Sequence, residues 1–140
     1  MAKTPQLERG CVFGADHDST YGFWISKDPR WKRCLAFNIT PPSISDDVHY
    51  FIATSRVNYF REHPLLISDV RIFVARSYSF FPEETAIDFR ELRVVPLAKL
   101  RTKGLKLLGK PTTDDLRSFE MVIRSARILE NRAKRMLGLL

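Results

Sequence analysis

The chain has 140 residues, 44% of them hydrophobic and 11% aromatic, which is enough to bury the core of one folded domain and excludes a disordered chain. Lys and Arg number 23 against 16 Asp and Glu, giving a net charge of +7. Such a surface favours polyanions, with nucleic acid ahead of an acidic protein partner. No apolar run approaches the roughly 18 residues that cross a bilayer, and residues 1–10 lack a secretory h-region, so the expected location is cytoplasmic.

In chain order, residues 1–9 read as a polar, loose tail. Residues 10–15 (GCVFGA) open the sheet as a short strand, and residues 16–20 (DHDST) have the composition of a turn. Residues 20–26 (TYGFWIS) are aromatic and strand-like, with Gly22 marking a bulge or a close backbone approach. Asp28 and Pro29 make residues 27–32 a hairpin turn into residues 33–40 (RCLAFNIT). That nearly continuous apolar run predicts a strand buried on both faces, closed by Pro41-Pro42 and paired antiparallel with residues 20–26. Cys11 and Cys34 both lie in strand-like runs. Two reduced thiols suit a cytoplasmic protein most simply, and one disulfide is also compatible with the sequence.

Residues 41–47 form a polar loop, residues 49–54 a strand, and residues 58–64 (NYFREHP) a loop or short helical turn. Residues 70–77 alternate as a half-buried strand, residues 85–89 begin another, and a short helix starts near Pro96 within residues 94–100. Residues 105–108 predict a last strand ending at Gly109. Thr112-Thr113 and the acidic Asp114-Asp115 then cap a helix whose apolar stripe runs from Leu116 through Phe119, Ile123, Leu129 and Ala133 to Met136. Its other face is basic, with Arg124, Arg127, Arg132, Lys134 and Arg135 against Glu130. Short strands followed by a terminal helix predict one domain over residues 1–140 of the α+β class, a small, strongly curved β-barrel with helical additions.

Nucleotide-binding loops, metalloprotease motifs and the G-x-S-x-G elbow are absent. His17, His49 and His63 stand 32 and 14 residues apart and do not cluster with the cysteines, so no metal or other cofactor is expected. Three groupings remain. His17 lies between Asp16 and Asp18, either as an acid–base group or as a solvated turn. Asn38 and Thr40 at the strand exit can bind a phosphate or simply cap the strand. Arg30, Trp31, Lys32 and Arg33, with Trp24 on the preceding strand, interleave cations with aromatics, as single-stranded RNA binding or a covered barrel end would require.

The order of these pieces resembles the MazF/PemK-like toxin superfamily, above all its divergent members. The resemblance rests on residues 10–15, the FWIS run, RCLAFNIT, HYFIATSRVNYF, FPEETAIDFREL and LLGKPTTDDLRSFEMVIRSA, and covers about residues 10–127. It implies an SH3-like barrel with a long C-terminal helix, dimeric, acting as the toxin of a toxin–antitoxin pair. It also implies metal-independent cleavage of single-stranded RNA, with an antitoxin peptide occupying the RNA groove. Thr40 matches the family's hydroxyl position. The family's strand-two Arg has no match, because this chain reads Ser19-Thr20-Tyr21-Gly22 there, which leaves Arg33 or Arg30 to reach back as the phosphate clamp and His17 as acid–base group. The alternative is a non-catalytic protein- or nucleic-acid-binding module on the same barrel.

Overall fold

A computed structural model describes residues 6–17 and 30–140, with His17, Arg30 and Trp31 described in backbone only. The elements are β1 (Val12–His17), β2 (Arg30–Ala36), β3 (Asp47–Thr54), α1 (Val57–Arg61), β4 (Val70–Phe73), β5 (Thr85–Pro96), α2 (Leu97–Thr102), β6 (Lys106–Gly109), α3 (Thr113–Ser125) and α4 (Asn131–Met136), with a 3-10 turn at Ile67–Asp69. The six strands form one curled antiparallel sheet in the order β4-β5-β3-β2-β1-β6. This is the mixed α and β architecture that the sequence pattern predicts.

β2 lies inside the sheet, and its alternation splits the core in two. Leu35 and Phe37 join Val12, Phe51, Ala53, Ile87 and Phe89 under α3, on what we call face B. Cys34 and Ala36 join Phe13, Val48, Tyr50, Leu97 and Leu100 on the opposite face, face A. A strand flanked on both faces carries no polar side of its own, which explains the continuous run Cys34 to Phe37. The strand nevertheless ends at Ala36, and Ile39, expected inside it, is 59% exposed.

A bulge then redirects β5. Tyr50 pairs with Arg93 and Ile52 with Asp88, so two steps along β3 span five along β5, a surplus of three. An odd surplus inverts which face each later residue meets. Ile87 and Phe89 therefore enter the face B core, while Val95 enters face A.

Several expectations need correction. Leu7 is 4% exposed in the face A core, and Arg9 lies over the Phe37 ring while pairing with Glu120, so residues 6–9 are packed rather than loose. Asp16 and His17 belong to β1, and Arg30, Trp31 and Lys32 to β2, where a turn was expected. β4 stops at Phe73, which is buried, and Val74 is exposed. The strand β5 runs on through Val94 and Val95 to Pro96, and the short helix expected near Pro96 follows at Leu97–Thr102 with Pro96 as its N-cap. Residues 20–26 and 27–29, with Trp24, lie outside the described residues; along Arg33–Ala36 both edges of β2 are taken by β1 and β3.

The terminal helix is also divided. Thr112 caps α3 as expected, its Oγ1 accepting the Asp115 N–H at 3.2 Å. α3 then ends at Ser125, Ala126 turns to extended backbone (φ −57°, ψ 134°), and α4 resumes at Asn131. The buried Asp69 carboxylate accepts the N–H of Arg127 and of Ile128, at 3.0 and 2.9 Å. Lys134, expected on the basic outer face, is 6% exposed and donates to the carbonyls of Arg124 and Ala126. Both ends of the broken hydrogen-bond ladder are thus satisfied by buried charges.

Candidate functional site

The strand register separates the residues singled out in the sequence. His17 pairs with Arg30 and Asp16 with Trp31 at the start of β2. Thr40 is exposed beyond the other end of that strand. At about 3.3 Å per residue, the six steps from Arg30 to Ala36 span roughly 20 Å, so His17 and Thr40 occupy opposite ends of the sheet. Arg33 sits between them on face B, between Gly14 and Ala53. Thr40, Arg33 and His17 are therefore not brought into one centre within this chain.

Asn38 is 8% exposed, and its amide is committed to β3: Nδ2 donates to the Asp47 carbonyl at 2.9 Å and Oδ1 accepts the His49 N–H at 2.8 Å. It caps the strand, the alternative weighed for it in the sequence. Lys32 turns to face A with Cys34, and its charge acts on that thiol alongside Arg93. Burial pushes the Cys34 thiol well above its ordinary value despite these two cations, and Cys11 is raised for the same reason. Both cysteines are buried thiols, neither joined in a disulfide.

Face A also carries a group that the sequence reading missed. Between the α2 core and a smaller cluster made by Val57, Phe60, Val70 and Ala86, the β5 bulge presents Arg90 to the rings of α1. Its guanidinium lies 5.1 Å from the Phe60 ring centre and 5.8 Å from that of Tyr59. Asp88 locks it in place, accepting from Arg90 Nε and Nη2 at 2.9 Å each and from the Arg90 N–H at 3.0 Å. Such a two-point carboxylate clamp fixes the plane of the guanidinium as well as its position.

Tyr59 is 45% exposed and stands 4.4 Å from the His63 ring, centre to centre, at an interplanar angle of 32°. His63 Nδ1 lies 2.6 Å from the Tyr59 carbonyl. A carbonyl only accepts, so Nδ1 holds the proton and Nε2 is left for other partners. Arg61 pairs with Glu84 through two bonds and ties the end of α1 to the start of β5; this pairing holds the exposed Glu84 carboxyl below its usual range. Lys32 lies on the same face, two residues along β2 from Cys34, which stands level with Asp88 two strands and on the order of 10 Å away.

The result is an exposed ring pair and a fixed guanidinium beside a strand-borne cation. Flat rings supply stacking surfaces for unpaired bases, and cations at this separation can follow a phosphate backbone. The sequence signal was the Tyr59-x-x-x-His63 spacing, which brings the two rings together, tilted against each other, once residues 57–61 are helical and His63 follows the C-cap. Among the described residues no cluster of three or more His, Cys, Asp or Glu is placed to hold a metal ion, and no helix is long and apolar enough to cross a membrane. No protein-family model, curated protein or solved structure matches the chain.

Proposed function

We propose that this protein binds single-stranded RNA on face A, as a non-catalytic module built on a small SH3-like barrel of the MazF/PemK-like kind. The observation that carries this reading is the Tyr59–His63–Arg90 group, open to solvent on the same sheet face as Lys32. Bases stack on the rings, Arg90 and Lys32 meet phosphates, and the net charge of +7 gathers the polyanion. Bases of any identity offer a stacking face, so the binding is tolerant of sequence.

Metal-independent endoribonuclease activity, as the toxin of a toxin–antitoxin pair acting as a homodimer, is the second reading. The exposed Thr40 hydroxyl at the open end of β2 favours it, since that is the position the family resemblance assigns to the hydroxyl. The separation of Thr40 from Arg33 and His17 within one chain places it second.

One experiment weighs both. Purified protein is incubated with a mixed single-stranded RNA pool in EDTA, and retained RNA and any new ends are measured. RNA retained intact supports the binding module. Discrete cuts with 2′,3′-cyclic phosphates, lost in Thr40→Ala, support the nuclease. RNA neither retained nor cut sinks both.

A further inference from the structure

Away from face A, the C-terminal segment carries a second cationic surface. Arg117, Arg124, Arg127, Arg132 and Arg135 are all exposed, and none of the five forms an ion pair with the described residues. Five arginines elsewhere are paired, Arg9 with Glu120, Arg61 with Glu84, Arg71 with Asp115, Arg90 with Asp88 and Arg93 with Glu91, whereas the exposed Arg76 and Arg101 stand singly. From Leu116 to Leu140 six Lys and Arg stand against two Glu, which leaves this terminal segment a net positive field.

The apolar component of this surface distinguishes its ligand. Arg117, Met121 and Arg124 stand at i, i+4 and i+7 on α3, so they form one stripe, and Ile128 follows in the break. Met121 is 68% exposed and Ile128 50%. A shallow depression beside Met121 is lined by Ser118, Val122, Arg124 and Ser125. The only aromatic side chain from Leu116 to Leu140 is Phe119, which is fully buried. Single-stranded nucleic acid is gripped by cations with exposed rings, and this surface offers no ring. Methionine and isoleucine between arginines instead suit aliphatic side chains set among carboxylates, with methionine adapting its shape to the partner.

We propose that the outer surface of α3 and the α3–α4 break docks an acidic, amphipathic polypeptide segment of a protein partner. Arginine forks take its Asp and Glu side chains in pairs, while Met121 and Ile128 receive its apolar residues. α3 covers face B and the Tyr59 group lies on face A, so the two surfaces are on opposite sides of the sheet. The polypeptide and RNA therefore bind together rather than in competition, unlike an inhibitor that occupies an RNA groove.

The test uses the full chain and a fluorescein-labelled synthetic helix with glutamates on one face and leucines on the other. Its glutamine version and poly-L-glutamate serve as controls. The acidic amphipathic peptide should bind, and the glutamine version should bind at least tenfold more weakly. Arg124→Glu with Arg127→Glu should lose at least tenfold in affinity, while Tyr59→Ala and a saturating U-rich RNA should leave peptide binding unchanged. Retained circular dichroism establishes that the variants fold. Displacement of the peptide by RNA overturns the proposal, as does a loss of RNA affinity rather than peptide affinity in the arginine variants. Equal binding of poly-L-glutamate and the amphipathic peptide removes the role of Met121 and Ile128. Absence of peptide binding, with tight binding of the same surface to phosphatidylserine vesicles, assigns it to a lipid headgroup instead.

Discussion

Asp69 and Lys134 act on one interruption of the C-terminal helix from opposite directions: the aspartate accepts the N–H groups of Arg127 and Ile128, and the lysine donates to the carbonyls of Arg124 and Ala126. The ammonium also sits at the negative end of α3, where a cation is favoured. Asp69→Ala leaves two backbone donors without their acceptor and should cost about 3 kcal/mol or more, because bonds to charged groups exceed the usual net value. Lys134→Met keeps the volume but orphans two carbonyls, and should cost about 2 kcal/mol. Urea unfolding of both single variants and the double variant measures this, and the pair should couple by more than about 0.5 kcal/mol because they order the same segment. Additive costs would mean that the break is held by other contacts.

The thiol of Cys34 gives a prediction with a definite sign. Burial raises its folded pKa, so the folded state holds it protonated while the unfolded thiol ionises near about 8.5. The stabilisation is complete below that unfolded value and is lost as pH rises through the folded one. Stability should therefore fall as pH climbs above about 9, and Cys34→Ala should flatten that fall. Iodoacetamide at pH 8 should modify Cys34 only as fast as the chain unfolds, read by mass spectrometry.

Tyr78 anchors the start of α3. Its hydroxyl accepts the Thr112 N–H at 2.9 Å, donates to the Asp115 carboxylate, and its ring stacks on Phe80 with centres 4.7 Å apart. Tyr78→Phe keeps the ring contacts and removes both bonds. It should cost roughly 1–2 kcal/mol in urea unfolding, within the range for a lost helix cap. An unchanged midpoint would show that Thr112 alone caps the helix.

Gly10 is needed for its backbone. It has φ +89°, and a Cβ there would lie 2.8 Å from Leu116 Cδ1. Gly10→Ala should cost at least about 1 kcal/mol from the left-handed conformation alone. Gly104, with φ +71° and nothing within 4 Å, should show the conformational cost without the contact.

The parts of this fold that were legible in the sequence are those set by short-range pattern. The apolar run at Cys34–Phe37, the Thr112 cap with Asp114 and Asp115, and the strand closing at Gly109 all carry local signals, and the structure has each of them. What was not legible depends on distant partners. No glycine or proline marks the break after Ser125, and the apolar spacing continues through it; the break is stabilised by Asp69, 58 residues away from Arg127. The β5 bulge likewise has no local breaker, and it is the pairing with β3 that reverses the face of Val95. The same holds for the candidate site. Lys32 could be named from its neighbours, whereas Tyr59, His63 and Arg90 converge only through α1 and that bulge.

The most direct measurement is the affinity of a labelled single-stranded RNA for the wild type, Tyr59→Ala and Lys32→Ala over a range of salt concentrations. Loss of a stacking ring costs about 1–3 kcal/mol per base, so Tyr59→Ala should weaken binding roughly 5- to 150-fold with the salt slope unchanged. Loss of one phosphate contact should leave Lys32→Ala with a slope shallower by about 0.7. Wild-type affinity and slope in both variants would contradict RNA binding on face A.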